Sequence, residues 1–322
     1  MREKTTYHWS GARSRKAARV SPLGRISTAV AVLVLSLFSV YCTSVAQEAY
    51  GGYTLFGPTN SRTTYLIGMD GTPVHTWQHT LTTVYSTYLL PDGSLLRPAA
   101  DPNAILRTGA YTGIIERVDW DGNVLWQYRY SSQDRIAHHD IEPMPNGNVL
   151  LIAWEVKSAA EAAAAGRVNP TAMWVDHLVE VKPTGPTDGE IVWEWHAWDH
   201  IIQDKDTAKK NYGVVREHPE ILDVNLCQGV TGPWGGDWLH MNAVSYDPVR
   251  DLVTVSSHYT SELYVIDHST TREEAAGHTG GRHGRGGDFL YRWGNPPNYG
   301  APGPASFDVV HCSWWIPPGL PG

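Results

Sequence analysis

Several motifs of common metal-binding and nucleotide-binding classes are absent from this 322-residue chain. It has no His-Glu-x-x-His motif, no Cys-x-x-Cys pair and no calcium loop, so no strong metal motif is present. It also lacks the glycine-rich fingerprints of nucleotide-binding proteins. Only 3 cysteines and 4 phenylalanines occur, against 14 tryptophans, 16 tyrosines, 31 glycines and 21 prolines. This composition favours short strands joined by many turns.

Residues 1–46 have the layout of a signal peptide. Seven basic residues precede an uncharged apolar run from Ile26 to Tyr41, and the small residues Ser44 and Ala46 around Val45 predict cleavage after Ala46. The run of about 16 residues is shorter than the ~20 that span a bilayer, so an uncleaved anchor is the second choice. A lipoprotein attached through Cys42 is less favoured, because Tyr41 is bulky where a small residue is needed. We therefore expect an exported protein, periplasmic or secreted, with no stable membrane span after cleavage.

The mature chain, residues 47–322, is acidic and retains two cysteines. The full chain has a net charge of −8, and the signal segment holds seven basic and one acidic residue, so the mature net charge is −14. Nucleic acid is therefore not an expected partner. In an exported protein Cys227 and Cys312 either pair or stay free, and their separation along the chain does not decide between these outcomes.

From Tyr53 onward the sequence repeats two short patterns. In the first, a turn precedes a β-branched strand that ends in Trp; in the second, an apolar strand follows a Pro-Asp-Gly or Pro-Asn-Gly turn. The first pattern occurs at 70–77, 121–126, 188–193 and 290–293, and the second at 90–96, 144–150 and, in degenerate form, 246–256. A period of about 53 residues with several strands per repeat predicts an all-β, propeller-type domain.

One short helix and one long loop interrupt this pattern. Ser158 and Glu161 have capping-box spacing, which predicts an inserted helix through Ala162–Ala165 that ends at Gly166. Residues 207–236 are rich in Gly, Pro and Asn and predict a long loop on one rim. About four blades fit in the mature length, so we expect the domain at 47–322 to be an incomplete propeller at its C-terminus.

Histidines are concentrated in turn-rich positions. Those singled out here are His138, His139, His196, His200, His240, His258 and His311. Any one of them is more often a surface or core residue than a catalyst. The glycine-rich segment 280–288 could bind an oxyanion through its amides, but a solvated hairpin loop is the better interpretation.

Two segments resemble motifs of the bacterial arylsulfate sulfotransferases. One is the histidine pair before a Pro-Asn-Gly-Asn turn at 138–148, and the other is Asp-Trp-x-His-x-Asn at 237–242, followed by Tyr246-Asp247-Pro248. The segments 195–204, which contains His200, and 291–296 are also similar to family segments. A third motif, at 311–317, matches through His311 and Trp315-Ile316-Pro317, with Cys312 where the family has Asp.

The resemblance implies a fold, a reaction and a set of partners. The family fold is a six-bladed β-propeller, and the family moves a sulfuryl group from an aryl sulfate donor to a phenolic acceptor without the nucleotide donor PAPS or any other cofactor. By this resemblance His311 is the nucleophile that forms a sulfohistidine. Two-step transfer through a neutral imidazole suits that residue type.

The resemblance also implies roles for the other site residues. His139, His240 and Asn242 would stabilise the developing negative charge, with His138 as the alternative to His139. His258 stands where the family has an arginine, so Arg282 or Arg285 could supply the cation instead. Trp315 and His200 complete the expected substrate-binding residues.

Two other functions remain open at this point. A zinc or copper ion held by His139, His240 and His311 would make the protein a metal-dependent hydrolase. Alternatively, the departures at Cys312 and His258 fit a propeller that binds or scaffolds without catalysis.

Overall fold

A computed structural model describes residues 51–107, 110–228, 236–316 and 319–320. In this part of the chain the fold is all-β, with strands arranged mainly in four antiparallel sheets that follow one another along the sequence. The signal segment predicted at 1–46 lies outside the described residues. No helix in the described ranges is long and apolar enough to cross a membrane.

The first two sheets are formed by residues 54–129. Sheet one has the order β1-β2-β3 and sheet two the order β4-β5-β6-β7, so each is a simple up-and-down meander. The strands of sheet one are Thr54–Phe56, Thr63–Ile67 and Pro73–Gln78. Those of sheet two are Tyr88–Leu89, Leu95–Ala100, Gly113–Val118 and Val124–Arg129.

Sheets three and four repeat the same meander with four strands each. Sheet three consists of β8 (Arg135–Pro143), β9 (Val149–Lys157), β10 (Met173–Pro183) and β11 (Gly189–His196). Sheet four consists of β14 (Met241–Asp247), β15 (Leu252–Ser257), β16 (Glu262–Asp267) and β17 (Tyr291–Trp293). Between them, β12 (Ile201–Ile202) and β13 (Leu222–Asp223) form a short parallel pair.

The two sequence patterns correspond to fixed places in these sheets. The Trp-ended strands are the last strands, β3, β7, β11 and β17, and the apolar strands after the Pro-turns are the second strands, β5, β9 and β15. Gly71 and Gly122 have φ of 78° and 92°, values that glycine adopts without strain in tight hairpin turns.

The indole groups of the last strands connect each sheet to the next one. Trp77 Nε1 of sheet one donates to the carbonyl of Asp119 in sheet two at 3.1 Å. Trp126 Nε1 of sheet two donates to the carbonyl of Asp188 in sheet three at 3.0 Å. In sheet three, Trp193 Nε1 donates to Oγ1 of Thr270 in the β16–β17 connection at 3.0 Å. We call these three bonds the tryptophan latches.

The buried core follows the same progression from sheet to sheet. One apolar cluster joins sheets one and two, a second joins sheets two and three, and the largest joins sheets three and four. Each sheet therefore packs its apolar side chains against its neighbours in sequence. This packing holds the first strands β8 and β14 against each other, and these two strands carry the candidate site.

The structure bears out the helix predicted from the capping box and adds a second one. Helix α1, Ala159–Ala164, has both hydrogen bonds of the Ser158 capping box. Helix α2, Arg272–Ala275, has an equivalent box formed by Thr271 and Glu274. The expectation of a single inserted helix was therefore wrong, although the Thr-x-x-Glu spacing was present in the sequence.

The structure also describes most of the predicted loop and both cysteines of the mature chain. The described residues of the loop at 207–236 are mostly irregular, with a short 3₁₀ turn at Val215–Glu217 and the two-residue strand β13; residues 229–235 lie outside the described ranges. Cys227 is partly buried, Cys312 is exposed, and both thiols are free.

We expect Trp126→Phe to lower the free energy of unfolding by about 2 kcal/mol, because it removes a buried indole and leaves the carbonyl of Asp188 without its donor. Trp126 is 5% exposed, whereas Trp293, at the equivalent place in sheet four, is 45% exposed. Urea denaturation of both variants measures the difference. Trp293→Phe is the matched control, and an equal loss in both would contradict a role for the latch.

Candidate active site

Five imidazole rings form a continuous row across the ends of sheets three and four. The ring centroids are 5.1 Å apart for His138 and His139, and 4.5 Å apart for His139 and His240. The row continues through His258, 5.1 Å from His240, to His311, 5.2 Å from His258. Side chains far apart in sequence are thus brought together, and we call this group the histidine row.

Irregular backbone in two strands points the first histidines into the row. The pairing of β8 with β9 shifts register between Ala137 and Ile141, and His139 within this bulge has φ of 51°. His240, directly before β14, has φ of 55°. Bulges and left-handed residues other than glycine are uncommon and concentrate at functional sites, because neighbouring structure must hold them.

His311 reaches the row on a segment that side chains of sheet four hold in place. Asn242 Nδ2 donates to the carbonyl of Val310 at 2.8 Å, and Asn242 Oδ1 accepts from Ser256 Oγ at 2.6 Å. Val309 N donates to Ser261 Oγ at 3.1 Å. Asn242 was predicted to stabilise charge on the substrate, but its observed contacts hold the backbone next to His311.

Asp237 orients His240. Its Oδ2 lies 2.5 Å from His240 Nδ1, and the carboxylate is almost fully buried. A carboxylate on one ring nitrogen fixes the ring and its tautomer and leaves the other nitrogen for chemistry. Asp237 was part of the quoted sequence motif but was not among the predicted site residues; its spacing of three residues from His240 was the available signal.

His138 is the buried member of the row that contacts His139. Its side chain is fully buried and stacks on Trp154 with ring centroids 3.5 Å apart. One nitrogen lies 2.8 Å from His139 Nδ1 and the other lies 3.2 Å from a carboxylate oxygen of buried Asp176. The ring is fully buried and hydrogen-bonded to His139, so His138 is placed to position His139 and not to meet a substrate. Asp176 was not predicted.

Four of the five imidazoles in the row have pKa values below the usual histidine value. Burial, and then the neighbouring imidazoles, place the pKa values of His138 and His139 well below the usual histidine value. Burial followed by the proximity of His240 lowers the pKa values of His258 and His311. His311 is exposed. It is therefore an accessible imidazole that is mostly unprotonated at neutral pH.

Two tyrosines border the row with aromatic surface. The ring of Tyr85 lies 5.1 Å from that of His139, and the ring of Tyr259 lies 5.1 Å from that of His240 and 4.9 Å from that of His258. Burial raises the pKa of both phenols, so both remain protonated and neutral near pH 7. Flat aromatic groups can pack beside such rings. Neither tyrosine was singled out from the sequence.

The remaining predicted residues lie elsewhere. Arg282 and Arg285 are exposed, and in the described structure neither has a hydrogen bond, ion pair or ring contact with the histidine row; Arg282 instead faces Asp251 at 3.5 Å. His200 is buried against Asp288. Trp315 lines two cavities of about 680 and 860 Å³ that none of the five histidines lines.

The structure gives no support to the alternative metal centre of His139, His240 and His311. Among the described residues, these three do not form a set whose donor atoms all lie within 4.8 Å of one another. The spacing is that of packed rings, with centroids 4.5 to 5.2 Å apart along the row.

Comparison of the sequence with known protein families gives a match. A family model described as arylsulfotransferase (ASST) matches residues 43–273, more than two thirds of the chain. The chain belongs to the arylsulfotransferase family. The matched span includes four histidines of the row, Asp237 and Asn242, and it ends before His311.

Similarity to solved structures is weak. A protein of unknown function from Bacteroides caccae has 11% identity over 76% of this chain, with a TM-score of 0.38. The hydrazine synthase of Kuenenia stuttgartiensis has 12% identity over 74%, with a TM-score of 0.39. The chain spans 58% of the length of each. No match to a curated protein was found.

We expect the imidazole of His311 to titrate below the usual range of histidine and its midpoint to rise in His240→Asn, because that change removes the nearby ring that disfavours its protonation. NMR of histidine ring signals across pH measures both values, and loss of one signal in His311→Asn assigns the resonance. A midpoint unmoved by His240→Asn would contradict the electrostatic effect of His240 on His311.

Proposed function

We propose that this arylsulfotransferase moves a sulfuryl group from an aryl sulfate to a phenolic acceptor through a sulfohistidine on His311. The observation that supports this most directly is an exposed imidazole of lowered pKa, that of His311, at the end of a row of packed imidazole rings. No nucleotide or other cofactor takes part in the proposed reaction. The same arrangement could not easily serve a reaction that needs several protonated histidines.

In the first step the free ring nitrogen of His311 attacks sulfur. An N–S bond forms, the S–O bond to the aryl group breaks, and the phenolate takes a proton and leaves as the phenol. In the second step the acceptor phenol loses its proton, its oxygen attacks the sulfur of the sulfohistidine, and the N–S bond breaks. Two displacements at one imidazole replace a single direct transfer.

The other histidines of the row have distinct proposed roles. His240, held by Asp237, is the acid that protonates the leaving phenolate and the base for the acceptor. His258 lies between His240 and His311 and takes the place of the family arginine as the donor to the sulfuryl oxygens. His139 supports His240, and Tyr85 and Tyr259 flank the aryl group.

We also propose that the four sheets are blades of a β-propeller, of the six that the family fold implies. Three features support this arrangement: the repeated four-strand meander, the apolar cluster between each pair of successive sheets, and the latches at Trp77, Trp126 and Trp193. Export to the periplasm or the medium, with cleavage after Ala46, is part of the same proposal, as are small-molecule partners and no nucleic acid.

We expect the full chain to transfer sulfate from p-nitrophenyl sulfate to phenol without added nucleotide, and His311→Asn to abolish transfer. Donor alone should add about 80 Da to the intact protein, the mass of a sulfuryl group on the nucleophile. His311→Asn should lose this adduct, whereas His258→Asn should keep it with slower turnover.

The exposed residue His218 provides the matched control, because His218→Gln alters a surface histidine in an ion pair with Glu220. That variant should transfer at the wild-type rate. An adduct that persists in His311→Asn would move the nucleophile to another histidine, and a folded wild type with neither adduct nor transfer would favour the binding or scaffold function.

We expect Asp237→Asn to lower kcat at least about 10-fold with little change in KM, because the ring of His240 loses its fixed tautomer but the substrate contacts remain. Steady-state kinetics with p-nitrophenyl sulfate measures this. Asp237→Glu should recover part of kcat, which a purely structural defect would not allow. An unchanged kcat in Asp237→Asn, with the fold intact, would remove Asp237 from the mechanism.

A further inference from the structure

Three metal-ligating side chains meet outside the histidine row. They are His200, which follows β11, and His278 and Asp288, both in the connection between β16 and β17. The Nδ1 atoms of both histidines lie 2.8 Å from Asp288 Oδ1. Within the ranges that the structure describes, this is the one set of three such residues whose donor atoms all lie within 4.8 Å of one another.

The ring of His200 is oriented as a metal ligand is oriented. Its Nε2 lies 2.9 Å from the carbonyl of Ala275, and since a carbonyl only accepts, Nε2 carries the hydrogen. The Nδ1 of a neutral ring then presents its lone pair towards His278 and Asp288. Donation from the second ring nitrogen to a backbone carbonyl is the usual support for a ligating histidine.

Packing leaves His200 no alternative position. The ring is fully buried and stacks on Trp195 with centroids 5.5 Å apart and planes 5° apart. Trp195 Nε1 donates to the carbonyl of Gly287 at 2.7 Å. A Cβ on Gly287 would lie 2.0 Å from the carbonyl oxygen of Ala275 and 2.6 Å from His200 Nε2, so only glycine fits next to the ring.

The three donor atoms converge closely enough to bind one cation. The lone pair of His200 Nδ1 and the Asp288 carboxylate face each other at 2.8 Å, which is unfavourable without a positive charge between or on them. Two imidazole nitrogens and one carboxylate oxygen are typical zinc ligands, with bonds of about 2.0 to 2.2 Å. The side chain of His278 is 59% exposed, which leaves that side open to water.

We propose that His200 Nδ1, His278 Nδ1 and Asp288 Oδ1 bind one Zn²⁺ ion, with water as the fourth ligand. The ion joins the segment after β11 in sheet three to the β16–β17 connection of sheet four. Its role is to stabilise the contact between these two sheets, beside the latch from Trp193 to Thr270. This site takes no part in sulfuryl transfer, and it gives His200 a role other than the substrate contact expected from the sequence.

The test uses the tag-free mature chain, stripped with EDTA and then titrated with ZnCl₂. We expect one tightly bound zinc per chain by mass spectrometry of metals after gel filtration, and a rise in Tm of about 5 °C at 100 times the Kd. His278→Gln and Asp288→Asn should each lower zinc affinity at least about 10-fold and remove the Tm rise. Neither substitution removes apolar core, so both variants should fold.

His218→Gln is the matched control, because His218 Nδ1 also lies 2.9 Å from a carboxylate, that of Glu220, but has no third ligand among the residues that the structure describes. It should bind zinc as the wild type does. Zinc uptake and a Tm rise that persist in both His278→Gln and Asp288→Asn would overturn the proposal, as would a wild type that binds no zinc; in the latter case a proton on His200 holds the contact. Sulfuryl transfer assayed on the same samples distinguishes failure here from failure of the proposed reaction.

Discussion

Imidazoles packed ring against ring and shielded from water disfavour one another's protonation, and the candidate site depends on this repulsion. Burial and neighbouring rings lower the pKa values of four members of the row, from His138 to His311. The result is a site whose exposed member, His311, is mostly unprotonated at neutral pH. One positive charge can be shared along the row during a reaction, but several cannot.

The sheets bring residues that are far apart in the sequence together in that row. The histidines come from β8, from the residues at the start of β14, from the end of β15 and from the segment held by Asn242. No two neighbouring strands of one hairpin could supply them all. The apolar cluster between sheets three and four, and the latch that Trp193 adds, therefore determine the distance between the two halves of the site.

Much of this could be predicted from the sequence, and the reasons are local. Asp-Gly and Asn-Gly turns and Trp-ended strands encode hairpins within a few residues, so the sheet order was accessible. The site histidines were accessible through motif resemblance. The supporting carboxylates differ: Asp237 lies in a quoted motif three residues before His240, whereas Asp176 reaches His138 from another strand, and such a pairing has no local pattern. The substrate contacts expected from Arg282, Arg285 and Trp315 stay predictions. These are large side chains on loops, and the sequence does not specify the direction in which such side chains point.

The left-handed backbone at His139 and His240 has a consequence for any mutational scan of this protein. Each position requires a residue that tolerates left-handed backbone as well as one that carries an imidazole. Val or Ile at either position would distort β8 or the start of β14, in addition to removing the imidazole. Asn adopts this conformation more readily than most residues and carries no imidazole. Asparagine is therefore the replacement that separates loss of chemistry from loss of shape, and alanine would confound the two.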